Sequence, residues 1–286
     1  MLTYFQAIIF GLIQGITELF PISSLGHSVL LPKVLGWHIK QEDPFFLTFL
    51  VATHSATALV LFLFFLKDWQ RIFTGLLRSI KEREIKASNH DGRLAWLLII
   101  GTIPGGLLGL IFEQHLKNLF ASPEIVAYVL ILNGLFLIGA EKLWSKNFAV
   151  KTQRGSDTRI AKLSFPQAVK VGLFQCLALI PGFSRTGASL AGGLYVGLTH
   201  EDAARFSFLL ATPIIAAALV LKLPGLFLPM LRPFLGPIIA GALAAGIAAY
   251  LSVRFLTKYF ETKKLFPFGI YCIVVGGLVL AIFSLQ

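Results

Sequence analysis

The sequence predicts an all-α protein that crosses a membrane several times and contains an internal repeat. Three observations support this: an apolar, charge-poor composition, long apolar runs, and two similar segments 161 residues apart. Hydrophobic residues make up 56% of the 286 positions and charged residues 14%, with a mean hydropathy of +0.78. Soluble proteins carry about 25% charged residues. Inside a bilayer, helices satisfy their own backbone, and the runs lack the period-two alternation of a β-barrel.

Six apolar runs indicate the transmembrane helices. A helix needs about 20 residues to cross the hydrocarbon core, and the shorter runs reach that length with their flanks. The predicted spans cover residues 45–66, 94–112, 125–138, 206–221, 238–251 and 268–283.

The net charge of +11 is concentrated in connecting segments. Segment 67–93 holds seven Lys or Arg residues and segment 142–162 holds six, whereas segment 113–124 holds one. Basic loops stay in the cytoplasm, so the first two segments are predicted inside and the third outside. The aromatic-rich basic motifs of nucleic-acid-binding proteins do not occur, so we expect membrane lipids and no nucleic acid as partners.

The repeat aligns residues 2–45 with 163–206 without gaps, and eleven of the 44 positions are identical. Biased apolar composition does not easily explain the aligned Gln, Ser and Gly residues. Each copy is predicted to begin with a re-entrant helical hairpin, at 1–44 and 165–199, because these segments are too short for two spans and a turn. Three spans follow each hairpin.

The charge rule gives the two hairpins opposite orientations, so we predict an inverted-topology repeat within a single membrane domain. Repeat 1 covers about 1–144, a cytoplasmic linker about 145–162, and repeat 2 about 163–286. Such folds bring irregular backbone to the membrane midplane, where it lines a cavity. Many transporters share this architecture, so transport is the main alternative to catalysis.

The first hairpin carries Glu18, Ser24 and His27 around the turn at Pro21 and Gly26. An ionisable residue at membrane depth is functional by default. A carboxylate, a hydroxyl and an imidazole near an exposed turn indicate a nucleophile and a base. In the alternative interpretation, Glu18 and His27 only pair with each other and stabilise the hairpin tip.

The second hairpin places Arg185 between Ser184 and Thr186, directly before Gly187. The planar guanidinium group matches phosphate oxygens, and backbone N–H groups at a following helix start attract anions. Arg185 could also be a packing partner of Glu18, which is compatible with phosphate binding. Ser24 aligns with Arg185 in the repeat, so we expect both tips to meet at one polar pocket.

Two strings resemble the signatures of the undecaprenyl-diphosphatases: QGITELFPISSLGH at 14–27 and PGFSRTG at 181–187. The resemblance covers nearly the whole chain. It implies a bacterial inner-membrane enzyme with a periplasmic site that removes the terminal phosphate from undecaprenyl diphosphate. This reaction recycles the carrier lipid of peptidoglycan synthesis, and loss of the substrate confers resistance to bacitracin.

When the roles of the family's signature residues are transferred to the matching positions here, the resemblance implies two sets of site residues. The catalytic set is Glu18, Ser24, His27 and Arg185. The phosphate-binding set is Gln14, Ser23, Gly26, Ser184, Thr186 and Gly187. The sequence departs from the family pattern at Gln14, where some relatives have Glu, and at Leu25, where a hydroxyl residue is usual.

We expect Ser24 to attack the terminal phosphorus while His27, oriented by Glu18, acts as the base. His27 as the nucleophile and direct attack by water remain open. A Mg²⁺ or Ca²⁺ ion could be held through Glu18, although the sequence shows no cage of several carboxylates, and no covalent cofactor is expected. His54, within the span 45–66, either lines the pocket or is a hydrogen-bonded histidine of the span.

The sequence is also compatible with two other functions. A transporter or flippase of a phosphate-bearing lipid would use the same Arg185, but it has no evident need for a nucleophile and a base. A structural role in cell-wall assembly is weaker. The sequence also leaves open whether the protein forms a homo-oligomer.

Overall fold

The computed structural model describes residues 2–39, 43–86, 88–119, 122–148, 157–226 and 234–285. These residues contain helices and no strands. The helices are α1 (Tyr4–Thr17), α2 (Ser24–Val34), α3 (Pro44–Phe64), α4 (Leu66–Glu82), α5 (His90–Leu119), α6 (Pro123–Phe148), α7 (Asp157–Ile160), α8 (Phe165–Gln175), α9 (Arg185–Tyr195), α10 (His200–Leu226), α11 (Leu235–Tyr259) and α12 (Phe266–Ser284), with a 3₁₀ turn at Cys176–Leu179.

Five helices of the described chain are long and apolar enough to cross a membrane: α3, α5, α6, α11 and α12. They coincide with five of the six predicted spans, which confirms the all-α, multi-pass fold. The sixth predicted span, 206–221, lies within α10, and the side chains beyond residue 217 fall outside the described part of that helix.

The basic segment 67–93 differs from the predicted loop, because most of it forms the helix α4. Ile72, Gly75 and Ser79 are buried at helical spacing, and the helix packs against α5. Phe73 and Leu77 are exposed on the same helix, at 61% and 53%. A helix with apolar residues and many cations fits the membrane–water interface, where long basic side chains can reach water.

Aligned positions of the two repeat copies adopt the same local structure. Thr3 forms a capping box with Gln6 at the start of α1, and Ser164 forms the same box with Gln167 at the start of α8. In this box each side chain bonds the backbone of the other residue, which satisfies two free donors of the first helical turn. The helix starts are therefore equivalent at an offset of 161 residues.

The ends of the second helices also correspond. Gly36 follows α2 with φ +65°, and Gly197 follows α9 with φ +94°. Both values lie in the left-handed region, which glycine adopts without the clash that a Cβ atom causes. Each hairpin therefore leaves its second helix through a glycine.

The first helix of each hairpin packs on a long helix of the other half. Helix α1 packs on α11, and α8 packs on α5. A Cβ atom added at Gly11 would meet the carbonyl oxygen of Gly241, and one added at Gly172 would meet that of Gly101. Small residues allow this close approach of helix backbones in membranes. This packing is symmetric between the two repeat copies. The repeat boundaries and the opposite orientations of the hairpins stay predictions. The predicted linker at 145–162 also stays a prediction and lies partly outside the described residues.

Candidate active site

The tips of the two hairpins lie against each other. The Thr186 hydroxyl donates to the backbone carbonyl of Glu18 at 2.8 Å. An added Cβ atom at Gly26 would lie 3.3 Å from the Cα atom of Gly182, and one at Gly187 would lie 3.2 Å from the Cβ atom of Pro21. Two broken helices thus meet through glycines and backbone groups, at a single polar cluster.

Asn133, from the middle of α6, connects the two tips. Its side-chain Nδ2 donates to the carbonyl of Pro21 at 3.2 Å, and its Oδ1 accepts from the backbone N–H of Ser184 at 3.1 Å. The side chain is fully buried. Buried backbone groups need such partners, so Asn133 stabilises the relative position of the tips. The sequence interpretation did not identify this residue, because a lone Asn in an apolar span carries no indication of its partner.

The Glu18 carboxylate is the centre of the cluster. Its Oε2 accepts from the Ser24 hydroxyl at 2.6 Å and from Gln14 Nε2 at 3.2 Å. Its Oε1 accepts from Arg185 through Nη2 at 3.0 Å and Nε at 3.3 Å. The side chain is only 6% exposed. A buried carboxylate needs this kind of compensation, since an unpaired charge at this depth is very costly.

Ser24 is the first residue of α2 and follows a strained cap. The cap residue Ser23 has φ +69°, and its hydroxyl accepts from the N–H of Gly26. Non-glycine residues at such angles cost about 1–3 kcal/mol and concentrate at functional sites. The turn places the Ser24 hydroxyl within hydrogen-bonding distance of the Glu18 carboxylate.

Arg185 is likewise the first residue of its helix, α9, and follows the cap Ser184, whose backbone is unstrained. Its Nη1 atom is buried and has no hydrogen-bond partner in the described part of the chain. Since Nε and Nη2 already bond Glu18, Nη1 is the donor that remains for a ligand. An arginine at a helix N-terminus is well suited to phosphate, because the guanidinium donors and the helix dipole act together.

His27 does not bond Glu18, so the expectation that Glu18 orients His27 is wrong. Its Nδ1 lies 2.7 Å from the carbonyl oxygen of Ser23, four residues earlier in the chain, and its Nε2 lies 2.9 Å from the hydroxyl of Tyr271. The ring stacks on Tyr271 with centroids 5.7 Å apart. The backbone contact within α2 turns the imidazole toward α12 and away from the carboxylate.

His54 takes the position beside Glu18. Its Nε2 lies 3.4 Å from Glu18 Oε2, and its Nδ1 lies 2.8 Å from the carbonyl oxygen of Leu50. Both interpretations of His54 hold, because it lies beside Glu18 and is also hydrogen-bonded within its own helix.

The remaining predicted phosphate-binding residues lie at the tips, but several use their polar groups internally. The Ser23 and Ser184 hydroxyls cap the N–H groups of Gly26 and Gly187. Gln14 donates to Glu18 through Nε2. The Oε1 atom of Gln14 is buried and has no hydrogen-bond partner among the described residues. These groups shape the cluster, and Arg185 Nη1 is the clearest donor for a ligand.

The residues do not fit a divalent cation held by Glu18. Both carboxylate oxygens already accept hydrogen bonds, and the Arg185 cation lies beside them. The described residues contain no group of three or more His, Cys, Asp or Glu side chains that could hold a metal. Mg²⁺ and Ca²⁺ prefer several oxygen ligands, which the described residues of this cluster do not supply.

Comparisons with known proteins show the family of the chain. A family model described as "Bacitracin resistance protein BacA" matches residues 7–278. The undecaprenyl-diphosphatase of Mycolicibacterium paratuberculosis is 46% identical over 295 aligned positions, which cover 96% of each chain. Undecaprenyl-diphosphatase 2 of Chromobacterium violaceum is 45% identical, covering 95% of each chain, and that of Frankia alni is 41% identical, covering 97%. The chain therefore belongs to the BacA family of bacitracin resistance proteins.

Proposed function

We propose that the protein is a membrane phosphatase that hydrolyses undecaprenyl diphosphate to undecaprenyl phosphate and inorganic phosphate. One observation carries the proposal: the Ser24 hydroxyl bonds the Glu18 carboxylate, whose other oxygen holds Arg185. The three groups supply a nucleophile, a base and a phosphate ligand within one buried cluster. The names of the relatives supply the substrate.

Arg185 binds the terminal phosphate through its remaining donor, Nη1. In phosphoryl transfer the moving group becomes metaphosphate-like, and catalysis consists mainly of positioning and of stabilising its charge. The Glu18 carboxylate holds the guanidinium in place through Nε and Nη2, so little reorganisation is needed when the substrate arrives.

Ser24 attacks the terminal phosphorus. Its proton passes to Glu18 Oε2, 2.6 Å away, as the Oγ–P bond forms and the bond from phosphorus to the bridging oxygen breaks. Undecaprenyl phosphate leaves, and a phosphoserine remains. Water then attacks the phosphoserine, Ser24 Oγ recovers the proton as the Oγ–P bond breaks, and the product leaves as dihydrogen phosphate.

His27 has a different role in this scheme from the one first expected. Its ring faces Tyr271 on α12, beyond hydrogen-bonding reach of the carboxylate. We assign proton removal from Ser24 to Glu18, and we place His27 and Tyr271 beside the phosphate that stays on the lipid. The apolar chain of the substrate would lie between the helices.

The physiological role follows from the reaction. In the bacterial plasma membrane, with the site facing the periplasm, the enzyme would return the carrier lipid to peptidoglycan synthesis. It would also lower the amount of undecaprenyl diphosphate that bacitracin can bind.

The experiment is phosphate release from undecaprenyl diphosphate by purified protein in detergent, with Ser24→Ala and Arg185→Ala compared to wild type. We expect release by wild type and a loss of about 10³-fold per folded molecule in both variants. Arg185→Ala should also lower the melting temperature, because it leaves the buried Glu18 charge without its cation. A flippase would bind the lipid without releasing phosphate, since detergent removes the two compartments. Wild type that binds the lipid but releases no phosphate would overturn the phosphatase proposal in favour of transport.

A further inference from the structure

His54 approaches the Glu18 carboxylate from α3, outside both sequence motifs. The carbonyl oxygen of Leu50, 2.8 Å from Nδ1, can only accept, so Nδ1 carries a hydrogen. The other ring nitrogen, Nε2, faces Glu18 Oε2 at 3.4 Å. This distance exceeds the usual range of about 2.7–3.2 Å for an N–H···O bond.

The hydrogen bonds of Glu18 indicate which groups carry protons at rest. A carboxylate has about four lone-pair positions. Four donors already occupy them: Ser24 Oγ and Gln14 Nε2 on Oε2, and Arg185 Nε and Nη2 on Oε1. These contacts fill the four positions, which leaves Nε2 of His54, 3.4 Å from Oε2, as the ring nitrogen that can take up a proton.

The charged groups that face His54 also favour an uncharged imidazole at rest. Among the described residues they are Glu18, from the end of α1, and Arg185, from the start of α9. The charges of these two groups balance each other. A second cation beside them would have to lose its hydration without a hydrogen-bond acceptor, which is costly at this depth.

We propose that His54 is a positioning residue for Glu18 that holds the proton Glu18 removes from Ser24. This inference rests on the proposed phosphatase reaction. As the Oγ–P bond forms, the Ser24 proton moves to Glu18 Oε2. It then moves to His54 Nε2, and Glu18 regains its charge and keeps Arg185 in place. The proton returns by the same path when Ser24 leaves the phosphoserine.

A histidine at position 54 is chemically suited to accept the proton from Glu18. Among the described residues, Ser24 and Gln14 also contact Glu18 Oε2. Ser24 is the source of the proton, and Gln14 cannot accept a proton at its amide nitrogen. An imidazole is ordinarily a stronger base than a carboxylate, so His54 is suited to take the proton from Glu18. Without His54 the proton would stay on a carboxylate that must also hold Arg185.

The test measures kcat and KM for undecaprenyl diphosphate against pH, for wild type and His54→Gln, in detergent. We expect wild-type kcat to fall as the pH drops through the range in which an imidazole gains a proton, because protonated His54 cannot accept another. His54→Gln should lower kcat on the order of 10–100-fold, leave KM within about 2-fold, and lose this acidic decline. Ser55→Ala is the matched control, since the Ser55 hydroxyl bonds the Val51 carbonyl within the same helix, and it should retain the wild-type profile.

Glutamine is a polar side chain of similar length, but its amide nitrogen cannot take up the Glu18 proton. A His54→Gln variant with the wild-type kcat and acidic decline would therefore show a purely structural role and overturn the inference. A change in KM alone would do the same. If His54→Gln fails to fold, the pH dependence of wild-type kcat is the test. A wild-type kcat that stays constant across the pH range in which an imidazole gains a proton would show that His54 does not accept the proton. A wild-type protein that releases no phosphate would instead refute the proposed function itself.

Discussion

Ser23 and Ser184 are 161 residues apart and cap two helices with the same hydrogen bond. Each hydroxyl accepts from the N–H three residues ahead, that of Gly26 or Gly187, at 3.1 Å in both cases. Ser24 and Arg185 are consequently the first residues of equivalent helices, and both contact Glu18. One local structure thus presents a hydroxyl in one hairpin and a guanidinium in the other.

The two caps differ in backbone geometry, and this difference gives a stability prediction. Ser23 has φ +69°, whereas Ser184 has φ −86°. Glycine relieves the strain of a positive φ, about 1 kcal/mol, and costs only a few tenths as a cap. We expect Ser23→Gly to keep or raise the free energy of unfolding and Ser184→Gly to lower it, as measured by thermal unfolding in detergent. Equal losses in the two variants would contradict this.

The sequence predicted the parts of the site that belong to local motifs. Ser24 and Arg185 each follow a cap in a Pro- and Gly-rich turn, and the repeat alignment predicted that the tips meet. It could not predict the roles of His54 and Asn133, since a single polar residue in an apolar span is compatible with many partners. The orientation of His27 depends on a competition between the Ser23 carbonyl and the Glu18 carboxylate, which residue spacing does not decide.

Asn133 should be necessary for activity because it holds the two tips together. Asn133→Ala removes the partners of the Pro21 carbonyl and the Ser184 N–H, and each buried group left unpaired costs about 1–3 kcal/mol. Asn89→Ala is the matched control, since Asn89 is also buried but bonds Gly75 and Gly92. We expect both variants to lower the melting temperature. Phosphate release per folded molecule should fall only for Asn133→Ala, and full specific activity in that variant would show that the tips need no such connection.

Arg185→Lys should fail to replace arginine. The guanidinium bonds Glu18 through two nitrogens and keeps a third for phosphate, whereas a lysine ammonium has a single nitrogen. We expect kcat/KM for phosphate release to fall about 10²–10³-fold, the usual effect of losing one donor to the transition state. Arg78→Lys, on the surface of α4, changes an exposed pair with Glu82 and should have no effect. A Lys variant within a few-fold of wild type would show that positive charge alone suffices.

Close helix packing gives matched predictions in the two halves of the chain. A methyl group at Gly11 would meet the Gly241 carbonyl, and one at Gly172 would meet the Gly101 carbonyl, so the helices would have to separate. We expect Gly11→Ala and Gly172→Ala to lower the free energy of unfolding by about 1–3 kcal/mol. Gly106 lies within α5 with no neighbour within 4 Å of an added Cβ atom. Gly106→Ala should therefore be neutral or stabilise by up to about 1 kcal/mol through helix propensity, and if all three variants behaved alike, the packing argument would be wrong.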